Sequence, residues 1–77
     1  MPELMHPYRT EVIADQFERA GIEESRVAID NAIQAVVENQ TQIDGARPNL
    51  DNPQVWDEVE YLVIDRLGHE IDIVKGY

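Results

Sequence analysis

The sequence predicts a small all-α domain. Three segments place apolar residues at every third or fourth position, which is the spacing of one face of a helix, and Gly, Pro and Asn separate these segments. The chain has 77 residues and no cysteine, so we expect a single domain over residues 1–77 without disulfides. The three helices are predicted over about residues 8–20, 23–43 and 53–67.

The first predicted helix ends at a glycine. Val12, Ile13 and Phe17 lie on one apolar stripe, and Gly21 follows as a candidate left-handed residue just beyond the helix. In such a stop the residue after the glycine, here Ile22, contacts Phe17.

The second predicted helix is expected to be the central one. Glu23 and Glu24 fall in its first turn, where the positive end of the helix dipole favours carboxylates. Its apolar positions outnumber those that one neighbouring helix needs, which predicts two packing faces and leaves contact with a second subunit as an alternative. These positions are Ile22, Val27, Ile29, Ile33, Val36, Val37 and Ile43.

The outline of a helix-turn-helix motif is present around Gly21, but its details do not fit. Phe17 occupies a position that requires a small residue, and Asp30 lies where the second helix of such a motif is apolar. We therefore reject a DNA-reading role for this segment.

A loop over residues 44–52 precedes the third predicted helix, since DGARPNLDN concentrates residues that favour turns. Asn52 is predicted to cap this helix and Pro53 to occupy its first position. The buried stripe of the helix is predicted to contain Val55, Trp56, Val59, Leu62, Val63 and Leu67.

The C-terminal segment 69–77 gives conflicting signals. Gly68 indicates a helix stop, whereas Ile71 and Val74 would continue the apolar stripe, and the alternation of residues 70–73 is typical of a strand. A lone strand would need an edge to pair with, so we predict that the third helix continues through this segment.

Acidic residues dominate the charge of the chain. Sixteen Asp and Glu residues oppose six Lys and Arg residues, which gives a formal net charge of −10. Nucleic acids and anionic membranes require clusters of Lys and Arg that this sequence lacks, so we expect a basic protein partner and no direct binding to nucleic acid or membrane. The alternative is that the acidity reflects only the composition of a whole proteome or a salty habitat.

Acidic residues recur every seven positions in the last third of the chain, at Asp51, Glu58, Asp65 and Asp72. On a continuous helix they would stand about 10.5 Å apart along the axis and form a row of negative charge similar to a nucleic-acid backbone. A solvated helix face is the plainer interpretation. We predict the partner-binding residues to be Asp51, Asp57, Glu58, Glu60, Tyr61, Asp65 and Asp72.

Few side chains offer other chemistry. Ser25 is the sole serine and stands at a predicted helix start, where it acts as a cap. His6 and His69 are far apart in the sequence, with Glu3 and Glu70 as carboxylate companions, and do not form a metal-binding motif. We therefore expect no catalytic, cofactor-binding or metal site and no enzymatic activity.

Together, these features predict a non-enzymatic acidic protein that neutralises a basic, nucleic-acid-handling partner. The class includes nuclease and toxin inhibitors, antitoxin and immunity proteins, and phage antidefence factors that act as nucleic-acid mimics. The alternative is a self-assembling structural or adaptor protein that acts as a homo-oligomer. A homodimer or higher oligomer is expected with either function, because small domains without disulfides or metals often gain stability by association. The start of the sequence lacks a secretory pattern and no segment reaches the roughly 18 apolar residues of a membrane span, so a cytoplasmic location is expected.

Overall fold

The computed structural model describes residues 3–76, which form four helices and, within that range, no strand. The helices are α1 (Pro7–Arg19), α2 (Arg26–Asp44), α3 (Pro53–Arg66) and α4 (Ile71–Lys75). The prediction of a small all-α domain is confirmed. Tyr77, the last residue of the predicted segment 69–77, lies outside the described residues.

The end of α1 has the predicted geometry. Gly21 adopts φ +74°, its N–H donates to the carbonyl oxygen of Glu18 at 3.1 Å, and the N–H of Ile22 donates to that of Phe17 at 2.8 Å. These two hydrogen bonds satisfy carbonyls that the helix leaves free, so the chain turns away after Ala20.

The start of α2 lies three residues later than predicted. Ser25 is the N-cap, and its hydroxyl oxygen accepts a hydrogen bond from the N–H of Ala28 at 3.1 Å. Glu23 and Glu24 therefore precede the helix, and the prediction that they occupy its first turn is wrong. The serine cap satisfies a free N–H directly, which the two glutamates at the predicted start do not do.

As predicted, α2 is the central helix, packed against both α1 and α3. Ile29, Ile33, Val36 and Val37 are buried within the single chain, which accounts for the two predicted packing faces. The core consists of Ile13, Ala14, Phe17, Ile29, Ala32, Ile33, Val36, Val37, Val59, Val63, Ile64 and Val74.

This packing covers most of the apolar surface that led us to consider self-assembly. On α2 only Val27 and Ile43 are exposed large aliphatic residues, at 43% and 68%. They lie about 24 Å apart along the helix axis, since each residue adds 1.5 Å. The two residues therefore do not form one continuous apolar patch on α2.

The C-terminal segment is helical, but it does not continue α3. Asn52 caps α3 as predicted, accepting from the N–H of Gln54 at 3.0 Å. At the other end Gly68 adopts φ +85°, its N–H donates to the carbonyl of Asp65 at 2.9 Å, and the N–H of His69 donates to that of Ile64 at 3.1 Å. The predicted continuation is thus wrong, because a left-handed glycine redirects the chain. The helix resumes as α4, which packs across α1 and α3.

A buried carboxylate fixes the start of α1 to the middle of α2. Asp30, only 5% exposed, accepts the backbone N–H groups of Met5 at 3.1 Å and His6 at 2.7 Å, and the hydroxyl of Thr10 lies 3.4 Å away. The imidazole Nε2 of His6 lies 2.9 Å from the side-chain oxygen of Gln34. An acidic residue on the apolar side of α2 is therefore explained by the free N–H groups at the start of α1.

Candidate functional site

Four of the predicted partner-binding residues lie together on the outer face of α3. Asp57, Glu58, Tyr61 and Asp65 are all exposed, because residues at these spacings share the side of the helix opposite Val59 and Val63. Asp57 and Asp65 are about 12 Å apart along the helix axis.

A surface depression extends this face beyond the end of α3. It is lined by Tyr61, Asp65, His69, Glu70, Ile71 and Asp72. The turn at Gly68 brings Asp72 to the same depression as Tyr61. On the predicted continuous helix, Asp72 would instead follow Asp65 as the last member of a straight row of acids. We call the exposed set Asp57, Glu58, Tyr61, Asp65, Glu70 and Asp72 the acidic face.

Glu60 does not belong to this surface, although the sequence analysis placed it there. It is 2% exposed, accepts a hydrogen bond from the side-chain amide of Gln16 at 2.6 Å and forms an ion pair with Lys75, the sole lysine of the chain. Glu60 lies four residues after Trp56 and three before Val63, so it falls on the buried stripe of α3. Its carboxylate is unavailable to a partner.

Asp51 is also separate from the acidic face. Its carboxylate pairs with the guanidinium of Arg9 at 3.0 Å, and that guanidinium lies over the ring of Trp56 at 4.7 Å from the ring centroid. Arg9 therefore compensates the charge of Asp51. The predicted row of four acids seven residues apart is interrupted at its first member by this pair and at its last by the turn at Gly68.

Ion pairs elsewhere in the structure leave the acidic face uncompensated. Among residues 3–76 the ion pairs are Arg9–Asp51, Arg19–Asp15, Arg26–Glu11, His69–Glu24 and Lys75–Glu60, the histidine pair being ionic only when the imidazole is protonated. None of these pairs includes a carboxylate of the acidic face. Arg9, Arg19, Arg26 and Lys75 thus pair with acids outside the acidic face. Arg66 is the one Lys or Arg residue between residues 57 and 72, so the net charge on this side of α3 and α4 remains negative.

The ion pair between Glu11 of α1 and Arg26 of α2 shifts the pKa values of both residues. The guanidinium of Arg26 bonds both carboxylate oxygens of Glu11, at 2.5 and 3.1 Å. Chiefly through this hydrogen bonding, Arg26 holds the pKa of Glu11 below its usual value, and Glu11 raises the pKa of Arg26 in return. Both side chains are more than half exposed, so this pair has only a small effect on folding.

The side chains of the acidic face offer negative charge and one exposed aromatic ring. Within the described range, no three His, Asp or Glu side chains are grouped so that they could hold a metal ion. His69 lies 3.3 Å from a carboxylate oxygen of Glu24 and packs its ring against Phe17, while His6 contacts Gln34. No helix among residues 3–76 combines the length and apolarity needed to cross a bilayer.

No protein-family model matches the chain, and no curated protein or solved structure matches it at a significant level.

Proposed function

We propose that this protein is a non-enzymatic binding protein whose acidic face occupies the nucleic-acid site of a basic protein and blocks it. One observation carries the proposal: carboxylates that have no cationic partner among residues 3–76 gather around an exposed tyrosine, on a chain whose net charge is already −10. The carboxylates are those of Asp57, Glu58, Asp65, Glu70 and Asp72. Nuclease inhibitors, antitoxins, immunity proteins and phage antidefence factors belong to this class, and a cytoplasmic location is part of the proposal.

The density of charge on α3 supports mimicry of a phosphate backbone. Asp57, Glu58 and Asp65 place three carboxylates within about 12 Å of helix length. A DNA strand carries one phosphate per 3.4 Å of axis, or about four over the same length. A groove lined with Lys and Arg for one strand would thus meet a similar amount of charge along α3.

Tyr61 supplies the short-range contact that charge alone lacks. Its side chain is 50% exposed and stands between the carboxylates of α3 and those of the depression. An Arg of the partner can place its guanidinium over the ring while it bonds Asp65, and such contacts slow dissociation. The surrounding charge accelerates association, and this acceleration decreases as salt concentration rises.

The test compares three forms of the protein as bait at low salt. They are the wild type, the Glu58→Gln/Asp65→Asn variant, and a Glu38→Gln/Asp44→Asn control. The control removes the same number of charges from exposed positions of α2. A partner of the acidic face should be captured by the wild type and the control, while the first variant should bind it about tenfold more weakly or worse.

Two results would contradict the proposal. In the first, the captured protein binds the face variant and the α2 control equally well, which would show that only net charge matters. In the second, saturating amounts of the nucleic acid that the captured protein handles fail to displace the bait, which would show that the two do not share a site.

A further inference from the structure

We propose that α4 is a strap that opens independently of the other helices, and that the ion pair between Lys75 and Glu60 is the latch that keeps it closed. In this role Lys75 is a positioning residue, since its contact with Glu60 holds α4 where Asp72 reaches the depression beside Tyr61.

The apolar contribution of α4 to its own docking is small. The helix has five residues, far fewer than the roughly 12 to 15 at which an isolated helix becomes even marginally stable in water. Val74 is its one buried residue, Ile71 is half-buried against the core, and Ile73 is 59% exposed. Elements with so few buried contacts open at a lower free-energy cost than the whole domain.

The main polar contact of α4 is the ion pair between Lys75 and the buried carboxylate of Glu60. Glu60 is 2% exposed, and apart from Lys75 its carboxylate has one bonded partner, the amide nitrogen of Gln16. The side-chain oxygen of Gln16 is itself buried without a partner. Because a buried carboxylate without its counter-ion is strongly unfavourable, loss of Lys75 favours a state in which water reaches Glu60. That state requires α4 to move away.

The movement is expected at the C-terminal end of the segment. At its beginning, His69 is held by Glu24 at 3.3 Å and by the ring of Phe17 at 5.2 Å between centroids. Lys75 is near the other end, five residues beyond Glu70. Opening therefore removes Asp72 from the depression and exposes the carboxylate of Glu60.

Hydrogen exchange of the unmodified protein is the first test. The N–H of Val74 bonds the carbonyl of Glu70 at 3.1 Å, and the N–H of Gly76 bonds that of Asp72 at 3.0 Å. If α4 opens separately, these two amides should exchange at least about a hundredfold faster than the protected amides in the middle of α2. If the amides of α4 and α2 were equally protected from exchange, with the same dependence on denaturant, α4 would not open separately and the strap proposal would be refuted.

The latch is tested with Lys75→Met, which keeps an apolar stem, and with Arg26→Gln as a matched control. Arg26→Gln also removes one positive charge and one ion pair, but that pair with Glu11 is exposed and joins α1 to α2. We expect Lys75→Met to accelerate exchange in α4 about tenfold or more, with the middle of α2 unchanged, and Arg26→Gln to change neither. Unchanged exchange in α4 of Lys75→Met, or an equal increase in all helices, would refute the latch; if this variant does not fold, the measurement on the unmodified chain still decides whether α4 is a strap.

The consequence for binding rests on the proposed function and is measured with a nona-arginine peptide. Simple attraction predicts that Lys75→Met, being more negative, binds the peptide more tightly, whereas loss of the closed strap predicts weaker binding. Arg26→Gln has the same change in charge and should bind the peptide at least as tightly as the wild type. Tighter binding by Lys75→Met would refute the positioning role. Failure of the wild type to bind the nona-arginine peptide would reject the proposed function. The exchange measurements would still show whether α4 opens separately.

Discussion

Replacement of Asp30 by Ala is expected to be among the most damaging single changes in this protein. The carboxylate accepts two backbone N–H groups, from Met5 at 3.1 Å and from His6 at 2.7 Å, and lies 3.4 Å from the hydroxyl of Thr10. No other side chain caps the start of α1, because its N-cap residue His6 makes no side-chain capping bond. The variant therefore leaves several donors without an acceptor.

The expected cost follows from these contacts. Each partly buried N–H left without an acceptor costs about 1 to 3 kcal/mol, and the longer contact to Thr10 adds little. We expect a total loss of about 3 kcal/mol, against a stability of about 4 to 12 kcal/mol for a domain of this length. The corresponding decrease in melting temperature is about 12 to 24 °C.

Thermal and urea unfolding of three variants measures this effect. Asp30→Asn keeps one acceptor oxygen and should lose about 2 kcal/mol, between the wild type and Asp30→Ala. Asn31→Ala changes the exposed neighbour on the same helix and should remain within about 0.5 kcal/mol of the wild type. If Asp30→Ala unfolded at the same temperature as Asn31→Ala, Asp30 would not hold the start of α1 and our account of its burial would be refuted.

Three further outcomes are expected. Gly68→Ala should cost about 1 to 2 kcal/mol in urea unfolding, because φ is +85° while nothing lies within 4 Å of an added Cβ, and no loss would mean that the left-handed turn is not required. Ile33→Ala should cost about 2 to 5 kcal/mol because the side chain is fully buried, and a smaller loss would contradict its place in the core. NMR titration should show the pKa of Glu11 below its usual value, and Arg26→Gln should restore the usual value. Because the pKa of Glu11 is lowered in the folded state, the small stabilisation by the Glu11–Arg26 pair is present at neutral pH. It is lost as the pH falls through the folded-state pKa of Glu11.

Local signals were sufficient to predict most of the fold. Gly21 and the Asn52–Pro53 pair predicted the end of α1 and the start of α3, because caps and left-handed stops depend on residues within one turn of the boundary. The start of α2 differs from the prediction because the side-chain cap at Ser25 determines the first turn, and the carboxylates of Glu23 and Glu24 do not. At Gly68 the left-handed glycine ends α3, although the periodicity of the apolar residues continues.

Long-range polar contacts were not predictable in the same way. Asp30 bonds backbone groups 24 and 25 residues away, and Asp51 pairs with Arg9 across 42 residues. No spacing rule connects such positions. Glu60 is different, because its spacing to Trp56 and Val63 in the sequence already indicates a position on the buried stripe of α3.

The distribution of acidic residues bears on whether the charge is functional. Among residues 3–76, four acids pair with Arg or Lys, Glu24 contacts His69, and Asp30 is buried against backbone groups, which leaves ten of the sixteen acids without any such partner. Five of these ten belong to the acidic face, between residues 57 and 72. The other five are Glu3, Glu18, Glu23, Glu38 and Asp44.

An acidity set only by proteome composition or by a salty habitat predicts an even spread of unpaired carboxylates over the surface. This chain instead places half of them in a segment of 16 residues, around an exposed aromatic ring. Four of its six Lys and Arg residues pair with acids elsewhere, and Arg66 is the one such residue within the segment. Self-repulsion within the acidic face destabilises the folded state, so solubility alone does not account for its concentration there. Neutralisation of two acids should therefore have different consequences on α3 and on α2. Glu58→Gln/Asp65→Asn should increase the stability of the fold and weaken binding to the basic partner protein. Glu38→Gln/Asp44→Asn should leave binding to that partner unchanged.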